Sequence, residues 1–438
     1  MKTAFFVLAD ALAREVHEHE TLLCAFAGER SDFVRFNRAR VRQPGSVEQR
    51  MVTLRLVRER RQASAMLAIA GNGDDLAQAR SALARLREAL TRLQEDPWLM
   101  IAETPRSTES VRRGTLPPAE DVAQQVTARA ANCDLVGIYA AGSVYRGFAN
   151  SRGQKNWHEC DTFNLDWSLH LDTDRAVKAR YAGFDWDSRA FEERLEAATV
   201  ELARLAIPRR TIEPGEYRAY LSPCALEELI AMMSWGGFSA RARATRQSPL
   251  LRMMHGATLS PLVTLTENTL DGIAPGFQDE GFIKPVAVPL VASGNLAEAL
   301  VSPRSAKEYG LTPNGAESGE SPESLDMAPG NLPAADALAA LDTGLYIDNL
   351  WYLNYSDRPA GRITGMTRFA TFRVERGQIV APVTAMRFDD ALYRMLGESL
   401  VDLTRERELL LDASTYEARS TRSMRLPGAL LGALKFTL

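Results

Sequence analysis

Histidine and cysteine are scarce in this chain, with five and four copies in 438 residues. Cys24, Cys133, Cys160 and Cys224 never fall at Cys-x-x-Cys spacing, which excludes a zinc ribbon and a dithiol redox motif. Reduced, mostly buried thiols are the expectation. No Gly-x-Ser-x-Gly elbow and no phosphate loop ending in Gly-Lys-Ser/Thr is present. Charge of one sign is not in excess either. With 52 Lys and Arg against 56 Asp and Glu, the net charge is −4, so electrostatics gives no reason to expect nucleic acid or an anionic membrane as partner. No apolar run approaches the roughly 20 residues that span a bilayer. The apolar start, Phe5-Phe6-Val7-Leu8, is cut short by Asp10, Arg14 and Glu15, so an amphipathic helix and a cytoplasmic protein are expected rather than a leader.

The histidines do not pair in a metal-binding pattern along the chain. His17-Glu18-His19-Glu20 lies at a predicted helix end, where side chains two apart point away from each other. His158-Glu159-Cys160-Asp161 puts four ligand-capable side chains in a row, with His170 beyond. In a strand at most two of the four converge, and a polar turn before a strand over 162–171 is expected. A Cys160–His158 pair stays open, because such residues meet in space rather than along the chain. His255, before Gly256, reads as a loop residue.

What the chain does have is a folded protein's balance, 45% apolar and 25% charged, and length enough for two domains. Helix is expected over 3–18, then strands over 21–27, 32–41, 50–58 and 63–70, then helix over 76–93. The order repeats with helix at 118–131, strands at 135–140, 144–150, 162–171 and 176–183, and helix at 191–206. Gly142-Ser143-Val144-Tyr145 reads as a hairpin turn. The expectation is an α+β protein. Its N-terminal α/β domain, 1–210, is built of duplicated helix–antiparallel sheet–helix units (1–95 and 117–206). Short loops between strands favour antiparallel pairing. The proline-bearing stretch 208–215 marks the boundary to a β-rich, barrel- or sandwich-like domain over 215–438. That half starts with a helix over 223–235, with Pro223 in its first turn and Gly236-Gly237 as its stop. Residues 311–333, poor in apolar side chains, read as a long mobile loop, either a solvated excursion or a flap over a cleft. Residues 344–354, 368–374 and 379–383 read as three strands, with a turn over 357–361. The segments 235–240 and 271–281 read as core strands with turns, or as walls of a peptide groove.

The order of these C-terminal segments resembles the TldD/PmbA family, two-subunit metallopeptidases also called modulators of DNA gyrase. The likeness is carried by Tyr217 to Pro223, Trp235 to Ala240, Ser260 to Glu267, Phe277 to Gly281, the strands from Gly344 to Val383, a closing helix at 392–396, and in the first half the turn from Gly147 to Gly153. The resemblance implies an N-terminal α/β domain on a β-rich one, and two related chains of which one holds zinc. Zinc-bearing members carry His-Glu-x-x-x-His and a later cysteine. Here the matching helix, Pro-Cys-Ala-Leu-Glu-Glu-Leu-Ile-Ala-Met-Met-Ser-Trp, has no histidine, and no cysteine follows Cys224. The chain also has Gly365-Met366-Thr367-Arg368 where members usually carry a Gly-Asp-Phe-Ser-like segment.

The resemblance thus implies a PmbA/TldE-like, non-catalytic subunit with no metal or cofactor of its own. Zinc is expected in a TldD-like partner chain, and the pair acts on unfolded peptides. Two alternatives remain, an active peptidase around His158, Glu159 and His170, and a homodimeric peptide-binding module. Gly344, Tyr346, Trp351 and Asn354 are the candidate substrate-binding residues, on the floor of a groove from 344 to 354. A buried, purely structural Trp351 is the other possibility.

Overall fold

The computed structural model describes residues Met1–Thr437, and it is a mixed α+β fold built on two sheets. The first half contains α1 (Lys2–Ala13), β1 (Glu20–Asn37), β2 (Arg40–Arg58), β3 (Arg61–Ala68), α2 (Asp74–Leu90), β4 (Thr108–Arg112), α3 (Ala119–Arg129), β5 (Asp134–Asn150), β6 (Lys155–His170), β7 (Ala176–Gly183) and α4 (Ser188–Leu205). Helix, three antiparallel strands and helix therefore occur twice. The units join edge to edge through antiparallel β1–β5 pairing, giving a seven-stranded sheet in which only β4, beside β6, runs parallel to its neighbour.

Each unit has its own apolar core. Phe5, Leu8 and Leu12 of α1 and Leu83, Leu86 and Leu90 of α2 pack on Phe26, Leu54 and Leu56. Phe26 stacks on Trp157, with ring centroids 5.6 Å apart. Helices α3 and α4 cover Tyr139, Phe163 and Trp167, a cluster that also takes in Phe372 from the second half.

Several strands are longer than expected. β1 runs unbroken through Gly28, and the chain turns only at Arg38-Ala39, where φ is +51° and +52°. The expected turn at Gly142-Ser143 does not exist. Both residues lie inside β5, hydrogen-bonded to β1 on one side and β6 on the other. Glycine is required at 142 for close approach, since a Cβ there would stand 2.1 Å from the Arg30 carbonyl oxygen, and φ is +131°. Helix α1 stops at Ala13, short of the expected 18.

The second half contains β8 (Gly215–Leu221), α5 (Pro223–Ser234), α6 (Ala240–Ala244), β9 (Leu265–Glu267), β10 (Val288–Ala292), β11 (Asn295–Leu296), α7 (Pro303–Tyr309), β12 (Ser324–Met327), α8 (Ala337–Leu341), β13 (Gly344–Asp357), β14 (Arg362–Glu375), β15 (Gln378–Pro382), β16 (Arg387–Ala391), β17 (Leu400–Leu411) and β18 (Ser423–Phe436). In the eleven-stranded sheet, β8 pairs with both β13 and β18, so β8, β13, β14, β16 and β18 close into a ring. Closure removes the exposed edges those strands would otherwise have. Helix α5 shares a core with this ring. The Ser222 hydroxyl caps it by accepting from Ala225 N at 3.2 Å, with Pro223 in the first turn. Leu226, Leu229, Ile230 and Met233 are fully buried against Leu221, Leu345, Ile347 and Leu431, each worth about 2 kcal/mol of burial. The closing helix is a single π-helical turn over Arg394–Glu398.

Residues 311–333 are not a free loop. They hold β12, which pairs between β9 and β18, and they carry the fully buried Glu320. Its carboxylate accepts from Ser239 Oγ (2.5 Å), Arg241 N (2.9 Å), Ser302 N (2.9 Å) and Ser302 Oγ (2.8 Å). Ser239 and Ser302 are the caps of α6 and α7, so one acid ties two helix starts to the strap. A segment poor in apolar side chains is ordered here by strand pairing together with a satisfied buried charge. Arg419 joins the two halves, donating to Gly142 O (3.0 Å) and Thr162 O (2.8 Å). Among the described residues no helix is long and apolar enough to cross a membrane.

Candidate functional site

Strand β13 divides its side chains by simple alternation. Leu345 and Ile347 point into the core of the ring and are fully buried. Tyr346 and Asp348 take the other face, where they line a cavity of about 430 Å³ between the two halves. The far wall comes from α4 and β7, with Glu201, Arg194 and Arg180. Tyr220 of β8, Cys224 of α5 and Glu408 of β17 complete it. Tyr346 and Tyr220 stack, with centroids 5.4 Å and planes 26° apart.

Four acids line it; Glu406 accepts from Ala334 N at 2.7 Å, and among the described residues the other three, Asp348, Glu201 and Glu408, form no ion pair. Desolvation in the cavity wall is the chief reason that each of these three binds its proton more tightly than usual. Asp348 lies well above the ordinary carboxylate range, pushed first by burial and then by Glu201 and Glu408. Hydrogen bonds, including Asn349 Nδ2 to Oδ2 at 2.6 Å, offset this only in part. Glu201 is pushed up to about 7, which Arg204 tempers. Glu408 is raised too, its surroundings in the cavity wall outweighing the pull of Arg194 and Arg180, although part of the residue reaches solvent, which tempers the effect. The Cys224 thiol is raised well above its usual value by burial and then by Asp348. Such a set offers hydrogen-bond partners to the polar groups of a peptide, and it offers no thiolate nucleophile at neutral pH.

The candidate residues fall in two places. Tyr346 lines the cavity. Gly344 sits at the start of the same strand, where a Cβ would stand 2.3 Å from the Arg218 carbonyl oxygen. Trp351 and Asn354 lie further along β13, across a bulge where Tyr352 has φ +57°, and both are exposed. The indole is therefore not buried. It is 51% exposed, with the Arg368 guanidinium 4.9 Å from its ring centroid.

The residues of α5 do not fit a zinc ion. The Glu227 carboxylate is occupied by Arg180, which is held charged against the cost of burial by Glu227 and Asp166. The inner face of the helix is hydrocarbon. No group of three His, Cys, Asp or Glu among the described residues is arranged to hold a metal.

The alternative site at His158 also comes apart. Residues 158–161 are not a turn but lie within β6. His158 is buried, its Nε2 3.1 Å from Ile273 O. Glu159 takes the other face of the strand, paired with Arg113 at 2.5 Å. His170 stands at the strand's far end, twelve residues and about 40 Å away. Burial also pushes the Cys160 thiol up to about 11.

Tyr220, Glu201 and Glu408 were missed along the sequence, because they come from elements far apart in the chain. Asp348 carried a signal, since it shares the face of Tyr346 at strand spacing.

The PmbA/TldA metallopeptidase C-terminal domain matches residues 214–437, just over half of the chain. No curated protein matches. Several solved structures share the fold. One is TldE from Thermococcus kodakarensis, at TM-score 0.79 and 14% identity, covering 99% of this chain and 100% of its own. A candidate modulator of DNA gyrase from Bacteroides thetaiotaomicron gives 0.77 and 15%, covering 100% and 98%. Another from Thermotoga maritima gives 0.76 and 16%, covering 100% of both. The match to the C-terminal domain agrees with the closed strand ring and its helix α5, and the shared fold extends along the whole length. The protein belongs to the TldD/PmbA family of metallopeptidase-related proteins.

Proposed function

We propose that this protein is the PmbA/TldE-type, non-catalytic subunit of a zinc peptidase. It pairs in the cytoplasm with a TldD-like chain that carries His-Glu-x-x-x-His, and it helps to present unfolded peptide to that partner. The observation that carries the reading is helix α5. Its inner face is Leu226, Leu229, Ile230 and Met233, and its Glu227 is neutralised by Arg180, so the helix that would grip zinc in an active chain packs a core instead. The inter-half cavity adds support, because its carboxylates and stacked tyrosines offer polar partners to a peptide without offering a nucleophile.

The test is co-expression with a zinc-bearing family chain. The reading expects a stable mixed complex that cleaves an unfolded peptide and a free chain that does not. Cleavage by the free chain after removal of any contaminating peptidase, whether or not a chelator abolishes it, would overturn it.

A further inference from the structure

A second cavity, of about 760 Å³, opens between the irregular segment 99–106 of the first half and residues 281–283 and 306–313 of the second. Ile101, Phe282, Ile283 and Leu311 give it an apolar lining. Arg106, Arg152 and Lys307 also line it, against one acid, Glu103. Among the described residues none of these three cations forms an ion pair with a carboxylate. Arg152 donates instead to Ala102 O (3.1 Å) and Thr21 Oγ1 (3.3 Å), and Lys307 Nζ to Leu99 O (2.7 Å). Three cations against one acid around a partly apolar hollow leave a net positive charge, a local potential that suits an anion.

The main chain adds a second element. Ala102 N donates to Glu280 O at 2.8 Å, which fixes the segment to the second half. The N–H groups of its neighbours Ile101 and Glu103 have no partner among the described residues. Unpaired main-chain donors beside a cleft are what an extended peptide uses to dock. An anionic head, an apolar side chain and a peptide backbone occur together at one place in a polypeptide, its C-terminal residue.

We propose that this cavity binds the free C-terminal end of a peptide. The carboxylate faces Arg106, Arg152 and Lys307, and the apolar last side chain lies against Phe282 and Leu311. The inference concerns this chain alone and holds with or without a zinc-bearing partner.

The experiment is fluorescence anisotropy on the full chain. The probe is a short N-terminally labelled peptide ending in Ala-Leu, made as the free acid and as the C-terminal amide. The free acid is expected to bind about tenfold more tightly than the amide, because the amide forfeits the charge-assisted hydrogen bonds. Arg106→Gln and Lys307→Gln should each weaken the free acid severalfold and leave the amide unchanged. Both side chains are exposed, so the melting temperature should not move. Equal affinity for acid and amide would overturn the proposal, as would no binding of either, or variants that bind the acid as the parent does. Octanoate separates a peptide from a simple amphipathic carboxylate. Weak competition supports the peptide, and competition as strong as the unlabelled peptide's rejects it.

Discussion

Tyr346 of β13 lies directly opposite Tyr220 of β8 in a parallel register, their rings stacked 5.4 Å apart on the cavity side of the strand ring. The pair forms one wall of the inter-half cavity and covers the point where β18 passes, because Gly428 leaves room for the Tyr220 hydroxyl. Tyr220→Ala should destabilise the protein by about 3 kcal/mol, whereas Tyr220→Phe, which keeps the ring, should stay within about 0.5 kcal/mol of the parent. Urea unfolding of the two variants checks this, and equal losses would show that the hydroxyl rather than the ring is what matters.

Glu201 makes stability depend on pH in a stated direction. Its folded pKa, about 7, lies above the ordinary 4.5, so the folded state holds a proton that the unfolded chain releases. Its contribution is complete below about pH 4.5 and fades as pH rises through 7. Glu201→Gln should therefore match the parent at pH 4.5 and exceed it by about 2 kcal/mol at pH 8. Unfolding midpoints at the two pH values decide it, and a variant that is weaker at pH 8 would contradict the burial argument.

Glu320 runs the other way. Burial alone would raise its pKa, but the hydrogen bonds from Ser239, Ser305, Arg241 and Ser302 more than offset it and hold it below 4.5. Its stabilisation is present above pH 4.5 and is lost as pH falls below that value. Glu320→Ala should cost about 3 kcal/mol at neutral pH, since it leaves buried donors unsatisfied, and should speed proteolysis within 311–333. Limited proteolysis indistinguishable from the parent would show that the strap is held by something else.

Gly344→Ala tests the close approach of β13 to β8. The added methyl meets the Arg218 carbonyl oxygen at 2.3 Å, so a loss of about 1–3 kcal/mol is expected with no change at the exposed end of the strand. Trp351→Ala is the matched control on the same strand. Half-exposed, it should change stability by less than about 0.5 kcal/mol. On the proposed function, the same change should weaken association with peptide or partner, read by anisotropy or co-purification.

Much of the fold was legible where one periodicity held without interruption. Helices α2 and α5, strand β7 and the turn over 357–361 lie where apolar spacing and turn residues put them. Legibility failed at glycines with two uses. Gly28 and Gly142 look like turn residues, yet both sit inside long strands, and at Gly142 the reason is a neighbouring backbone that a Cβ would strike. It failed again at 311–333, where low apolar content suggested mobility, while the buried Glu320 carboxylate and the pairing of β12 between β9 and β18 supply the order. The cavity was half visible. Alternation along β13 placed Tyr346 beside Asp348, but Glu201, Glu408 and Tyr220 arrive there only through the packing of α4, β17 and β8.

The most direct test of the account is the zinc content of the purified chain, alone and in a mixed complex, measured by mass spectrometry after dialysis against weak chelator. The account predicts no stoichiometric zinc on the free chain, and one ion in the complex that is lost when the partner's histidines are changed. An equivalent of zinc retained by the free chain, and released by changing its own side chains in the C-terminal half, would contradict it.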